Sequence, residues 1–300
     1  MKAIFHLAAI LIVCFGLNAC NEPVVKDTQT AGSIKVSVDE TYRPVMEQQF
    51  KLFASRYPNA HIQVEYKSEA ECFNDFLEDT TRVIFVTREL TEKEKEYCLS
   101  KKWVTKSMAM ARDAVAFITS ADYTKPQFTT QQLQAMLLGQ DSSHTIVFDN
   151  PGSSTVRYIS DSLLGGKKPE GRSFATQNAN EVIDYVAAHP KSIGVIGVSW
   201  IADNSDSTTE QFLKKIQVAG IRKINDTSAP FIRPFQAYIG LQEYPCTRNF
   251  YFITKESWVG LGTGLVNFLC KDGQLVFKQA KLFPLRVNVL LRDTRLNTNK

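Results

Sequence analysis

From Ser33 onward, apolar and polar positions follow two alternating periods. Ile34, Val36 and Val38 alternate with Lys35 and Ser37, the pattern of a strand with one face turned inward. A polar turn, Asp39-Glu40-Thr41-Tyr42-Arg43, follows, and Pro44 suits the first turn of a helix. Met46, Phe50, Phe53 and Tyr57 then line one helical face until Pro58-Asn59 stops the run. His61 to Tyr66 alternates as a second strand, and a helix is expected from about Glu69 to Leu77. Val83-Ile84-Phe85-Val86 reads as a buried strand, Thr91 to Ser100 as a charged helix, and Thr145-Ile146-Val147-Phe148 as a further strand. Strands separated by helices of this length predict an α/β fold, with a parallel sheet covered by helices on its faces. In such sheets ligands bind at the carboxyl ends of strands.

Three loops lie at that edge: Asp39–Tyr42, Thr87–Arg88 and Gly152–Thr155. The third is the richest in chemistry. Asp149-Asn150-Pro151-Gly152 is strong turn chemistry, and Asp149 suits an Asx turn. Ser153, Ser154 and Thr155 then run into Val156, Ile159 and Leu163 at helical spacing, which places the three hydroxyls at the cap and first turn. Free N–H groups and the positive end of the macrodipole meet there, so the segment is either an ordinary Ser/Thr cap or a seat for an oxyanion. Convergence of three such loops on one cleft is what the topology predicts.

The N-terminus changes the picture of where the protein works. Lys2 precedes an apolar run from Ala3 to Leu17, and Leu17-Asn18-Ala19-Cys20 follows as a small-residue cleavage site ending in cysteine. This resembles a bacterial lipoprotein signal (residues 1–19). The resemblance implies cleavage before Cys20, acylation of its thiol and attachment of the mature chain to a membrane. The apolar run falls short of the ~20 residues of a spanning helix. Polar residues around Pro23 read as a flexible tether over 20–32.

Losing residues 1–19 removes one charged residue, Lys2, and takes the net charge from +4 to +3. Lys and Arg form no stripe, which argues against a nucleic-acid partner. Of six cysteines, Cys72, Cys98, Cys246 and Cys270 remain beyond Cys14 and Cys20, without zinc-type spacing. Cys72 with Cys98 is the first disulfide to test in an exported protein, and buried free thiols satisfy the pattern equally. The four histidines, His6, His61, His144 and His189, are isolated, and no nucleophile elbow, HExxH or P-loop occurs. No enzyme, metal or cofactor is expected.

The order of segments resembles the periplasmic phosphate-binding component of phosphate ABC transporters over nearly the whole mature chain. The landmarks are the first strand with Glu40-Thr41-Tyr42, Thr87-Arg88-Glu89-Leu90-Thr91, Gly152-Ser153-Ser154-Thr155, and Ala188 to Ile196. Tyr244-Pro245-Cys246-Thr247-Arg248, Gly273-Gln274 and Phe283-Pro284-Leu285 complete the series. The resemblance implies a two-lobed, type II periplasmic-binding-protein fold with two chain crossings. Residues 33–112 with 250–300 would form one lobe and 113–249 the other, with crossings over Met108–Ile118 and Tyr244–Ile253.

It further implies an anion held between closing lobes. Carried over residue by residue, Thr41 and Tyr42 fit the first loop, and Ser153, Ser154 and Thr155 the third. Thr87 stands where the family has a proton-accepting aspartate, and Asp149 where it has an arginine. Arg88 or Arg157 can supply the missing guanidinium, and Asp39, Glu40 or Asp149 the missing acceptor. The expected function is capture of phosphate or a similar tetrahedral oxyanion on the periplasmic side and delivery to an inner-membrane ABC permease. The alternative is a surface lipoprotein of the same fold whose altered cleft serves another ligand or a protein partner.

Overall fold

A computed structural model of the chain describes residues 27–201, 207–223 and 228–286. The signal and Cys20 lie outside them. Each run read as a strand forms one near its expected bounds: β1 (Gly32–Asp39), β2 (Ala60–Lys67) and β3 (Val83–Val86). Then come β4 (Lys106–Ser120), β5 (Gln127–Thr129), β6 (Thr145–Phe148), β7 (Ser173–Ala175) and β8 (Ser192–Gly197). The series ends with β9 (Ile216–Val218), β10 (Gly220–Arg222), β11 (Thr247–Thr254) and β12 (Phe283–Pro284).

The principal sheet has the order β2-β1-β3-β11-β4-β8-β6-β7, with β9 and β12 also paired to β4, while β5 and β10 pair separately. On one side β1 runs parallel to β2 and β3; on the other β6 runs parallel to β7 and β8. The 15-residue β4 joins the two sides. Its first part, to Ala114, pairs antiparallel with β11, and from Val115 onward it pairs with β8 and then β9. Cys246 O accepts the Val115 amide at 2.9 Å, so the outgoing and returning crossings lie side by side. This is a two-lobed fold, each lobe an α/β sheet, with two strands crossing between them.

Helix starts follow the sequence closely. Ser68 and Glu71 form a capping box on the helix Glu69–Leu77, and Thr91 with Glu94 does the same for Glu92–Ser100, satisfying amides that would otherwise lack partners. The third strand is buried on both faces, as parallel interior strands are. Val83 and Phe85 join the main core, whereas Ile84 and Val86 face a second cluster with Cys72, Phe73, Phe76, Cys98 and Ile253. Cys72 and Cys98 share that cluster as free buried thiols, without the disulfide between them.

Residues 27–31, within the run read as tether, pack onto the first lobe. Asp27 accepts from the Arg82 guanidinium at 3.1 and 2.7 Å and from the Leu261 amide at 2.9 Å.

Candidate functional site

Strand register builds the first part of the site. In the antiparallel pair of β4 and β11, Arg248 stands directly opposite Asp113, and its Nε and Nη2 both donate to Asp113 Oδ2 at 3.1 Å. The two side chains are 3% and 0% exposed, so the pair is withdrawn from water. Tyr42 completes it: the hydroxyl donates to Asp113 Oδ2 at 2.9 Å, and the ring stacks on Phe250 at 3.8 Å. Burial pushes the Asp113 carboxyl upward against the pull of Arg248. The remaining Arg248 donor, Nη1, reaches Ser154 Oγ at 3.0 Å, linking the crossing strands to the third loop.

The three carboxyl-end loops converge around that point. After β1, Asp39 accepts from the Thr41 amide at 3.1 Å and ends the strand in a short 3-10 turn, Glu40–Tyr42. Thr41 Oγ1 lies 3.3 Å from Ser154 Oγ and 3.5 Å from Asp149 Oδ2, and Thr155 donates to the same Asp149 oxygen at 3.2 Å. Asp149 Oδ1 accepts from the adjacent Asn150 amide at 3.0 Å, but the expected Asx turn falls one residue later, where Asn150 Oδ1 accepts from Gly152 N at 3.1 Å, because the residue two after Asp149 is Pro151, which has no N–H to give. Ser153 caps the helix Ser154–Tyr158 by accepting from Val156 N at 3.2 Å. Asp39 Oδ2 is buried and has no hydrogen-bond partner among the described residues. Burial, reinforced by the nearby charge of Glu69, lifts the Asp39 carboxyl to about 7.

A second group stands beside it. Glu69, in the first turn of its helix, accepts from Thr87 N and Thr87 Oγ1, both at 2.7 Å. Arg157 approaches from the other lobe, donating through Nε and Nη2 to Glu69 and through Nη2 to Thr87 Oγ1 at 2.6 Å. Burial would raise the Glu69 carboxyl, but the charge and hydrogen bonds of Arg157 and Thr87 hold it below its usual value. The cleft is drawn shut around both groups, with Ala70 N donating to Gly152 O at 3.3 Å and Ser199 Oγ to Thr41 O at 2.7 Å. Beside the contact lies a recess of about 470 Å³, walled by Tyr66, Ser68 and Glu71 on one side and Asn150, Gly152 and Asn178 on the other. Another recess, about 370 Å³ between Val198, Leu213, Val218 and Pro234, touches none of these residues.

Of the residues singled out from sequence, Thr41, Tyr42, Thr87, Ser153, Ser154, Thr155 and Arg157 are brought together. Arg88 is not. Its guanidinium is held bidentately by Glu94 at 2.8 and 2.9 Å and lies over the Phe73 ring at 3.5 Å, so of the two candidate arginines Arg157 is the one in the cleft. Glu40 is likewise engaged elsewhere, by Arg43 at 2.8 and 2.7 Å, which leaves Asp39 and Asp149 as carboxylates of the site.

Sequence reasoning missed Arg248, Asp113 and Glu69. A signal existed for the first two: Arg248 is in phase with the buried Phe250 and Phe252, and Asp113 interrupts an apolar strand. Charges at such positions require buried partners. Glu69 carried no such mark, since acidic residues are ordinary in a first helical turn. Among the described residues no group of three or more His, Cys, Asp or Glu side chains is placed to hold a metal ion.

Two α/β lobes joined by paired crossing strands around a polar buried cleft are the architecture of the type II periplasmic-binding-protein fold. The sequence of residues 23–272 matches the PBP superfamily domain, and the chain belongs to that family. A putative phosphate ABC transporter substrate-binding protein from Clostridium perfringens, solved with bound phosphate, shares the fold at a TM-score of 0.70 and 18% identity, over 85% of this chain and 100% of that one. An ABC-type phosphate transport receptor from Vibrio cholerae aligns with a TM-score of 0.61 and 14% identity, over 84% and 100% of the two chains. In sequence, Protein SphX of Synechococcus elongatus is 20% identical over 264 residues, 81% of this chain and 78% of its own length.

Proposed function

We propose that this protein is a solute-binding protein that captures phosphate, or a similar tetrahedral oxyanion, between its lobes and hands it to an inner-membrane ABC permease. Residues 33–112 and 250–300 act as one lobe and 113–249 as the other in this reading. Lipid on Cys20 holds the protein at the periplasmic side of a membrane. The role is binding and release, without catalysis.

The observation that carries the proposal is the convergence of hydroxyls and two guanidiniums in one place, buried except for the partly exposed Arg157. Thr41, Ser154 and Thr87 supply neutral donors, and Arg248 and Arg157 supply positive charge. Asp39 gives the site its selectivity. Its unpartnered oxygen needs a donor, which a protonated phosphate provides and sulfate lacks. The relatives named above, two described as phosphate-transport proteins, support the reading.

A specific observation favours the alternative of a ligand other than phosphate, or a protein partner. Four buried carboxylates, Asp39, Glu69, Asp113 and Asp149, face two guanidiniums, an acid surplus unusual for an anion site. The upward shifts of Asp113 and Asp149 reduce that surplus by favouring their neutral forms.

Calorimetric titration of the ligand-stripped protein separates the two readings. One-to-one phosphate binding with weak or no sulfate binding is expected. Binding of neither anion, with an unchanged melting temperature, sinks the oxyanion reading.

A further inference from the structure

The donors around Glu69 are of the kinds that hold a free oxyanion: a backbone N–H, a hydroxyl and a guanidinium fork. Thr87 contributes the first two at 2.7 Å each, and Arg157 contributes the third through Nε and Nη2. Glu69 is 2% exposed, so water does not compete for it. It belongs to the lobe of β1 to β3, whereas Arg157 belongs to the helix after β6. Their ion pair therefore spans the cleft. The same chamber holds the other seat, because the charges of Asp39, Glu69, Arg157 and Arg248 act on one another.

We propose that Glu69 is a tethered stand-in for the ligand: its carboxylate occupies the Arg157–Thr87 seat, holds the lobes together, and must be exchanged for a ligand oxygen. The proposal rests on the oxyanion reading for the exchange and on geometry alone for the closure. A ligand then gains the difference between its own contacts and those that Glu69 already makes, so affinity is set by competition with an internal anion. Glu69 also makes the cleft selective, since a weakly accepting solute cannot displace a carboxylate that accepts four hydrogen bonds.

The test compares the full-length protein with Glu69→Gln, which keeps the shape and removes the charge. Two readouts are used: small-angle X-ray scattering with and without phosphate, and calorimetric phosphate affinity. The wild type should keep one radius of gyration in both conditions. The variant should be wider when empty and contract with phosphate, and should bind phosphate about 10-fold or more tightly, the scale of one charge-assisted pair.

An empty variant as narrow as the wild type overturns the closure. Opening with unchanged or weaker phosphate affinity overturns the stand-in role. Should neither protein bind phosphate, the oxyanion reading fails by itself, and the scattering of the empty proteins still decides whether Glu69 closes the cleft. If Glu69→Gln does not fold, Glu69→Asp, which retreats by one methylene, is read on the same two measurements and should show the same directions more weakly.

Discussion

Arg248 and Arg157 both meet a buried carboxylate, yet they are built in different ways. Arg248 and Asp113 are cross-strand partners on β11 and β4, so the sheet's own hydrogen bonds keep them together whatever the lobes do. Arg157 and Glu69 sit on helices of opposite lobes, so hinge opening must separate them. The first pair is architecture that happens to offer a donor to the cleft. The second is a contact that exists only while the cleft is shut.

Replacing Arg248 with Met should have the largest effect, because Asp113 is then buried without its cation. A loss of about 3–5 kcal/mol in urea unfolding is expected, together with loss of phosphate heat. A loss below about 1 kcal/mol would remove the distinction between the two pairs, since register would then carry no special weight. Arg157→Gln should cost less, about 1–3 kcal/mol, because the lobes can part and let Glu69 reach water. Its phosphate affinity should nevertheless fall at least about 10-fold, one charge-assisted contact being gone.

Asp39 sharpens the comparison through pH. Its folded carboxyl titrates near 7, above the unfolded value, so folding takes up a proton between about pH 4 and 7. Stability contributed by this group therefore falls as pH rises through that window, by up to about 1.4 kcal/mol per unit, and levels off above it. Asp39→Asn should flatten that slope in a pH series of denaturant midpoints. A slope unchanged in the variant would assign the proton to another carboxylate. The smallest effect is expected at Arg88, whose partner Glu94 is on the same lobe and only partly buried. Arg88→Ala should cost under about 1 kcal/mol and leave phosphate affinity where it was.

Most of the fold was legible because local rules and tertiary need agree in it. Alternation marked β1 and β2, apolar runs marked β3 and β6, a hydroxyl-rich segment marked the helix start at Ser153, and turn chemistry marked Asp149 to Gly152. The site was legible only where it is local. Loops at strand ends announced Thr41, Thr87, Ser154 and Thr155, since topology alone brings those ends together.

What sequence could not supply was pairing. Arg88 and Arg157 look alike along the chain, and only the packing of Phe73 and Glu94 draws the former aside. Arg248 and Asp113 are 135 residues apart, and a one-residue slip in β11 would turn them to opposite faces. Phase with buried phenylalanines was the clue available for Arg248.

One small residue sets how closely the lobes can meet. Gly197 has φ −70° and ψ 144°, a backbone conformation open to any amino acid, so nothing about its own bending calls for glycine. The reason is clearance: a β-carbon there would stand 2.3 Å from Thr41 Cγ2. A single added methyl is therefore a wedge in the jaw of the molecule, thick enough to keep Thr41 from seating. The fit of the closed state is machined to a tolerance of one carbon atom, at a point that also lies 3.4 Å from the Arg248 guanidinium.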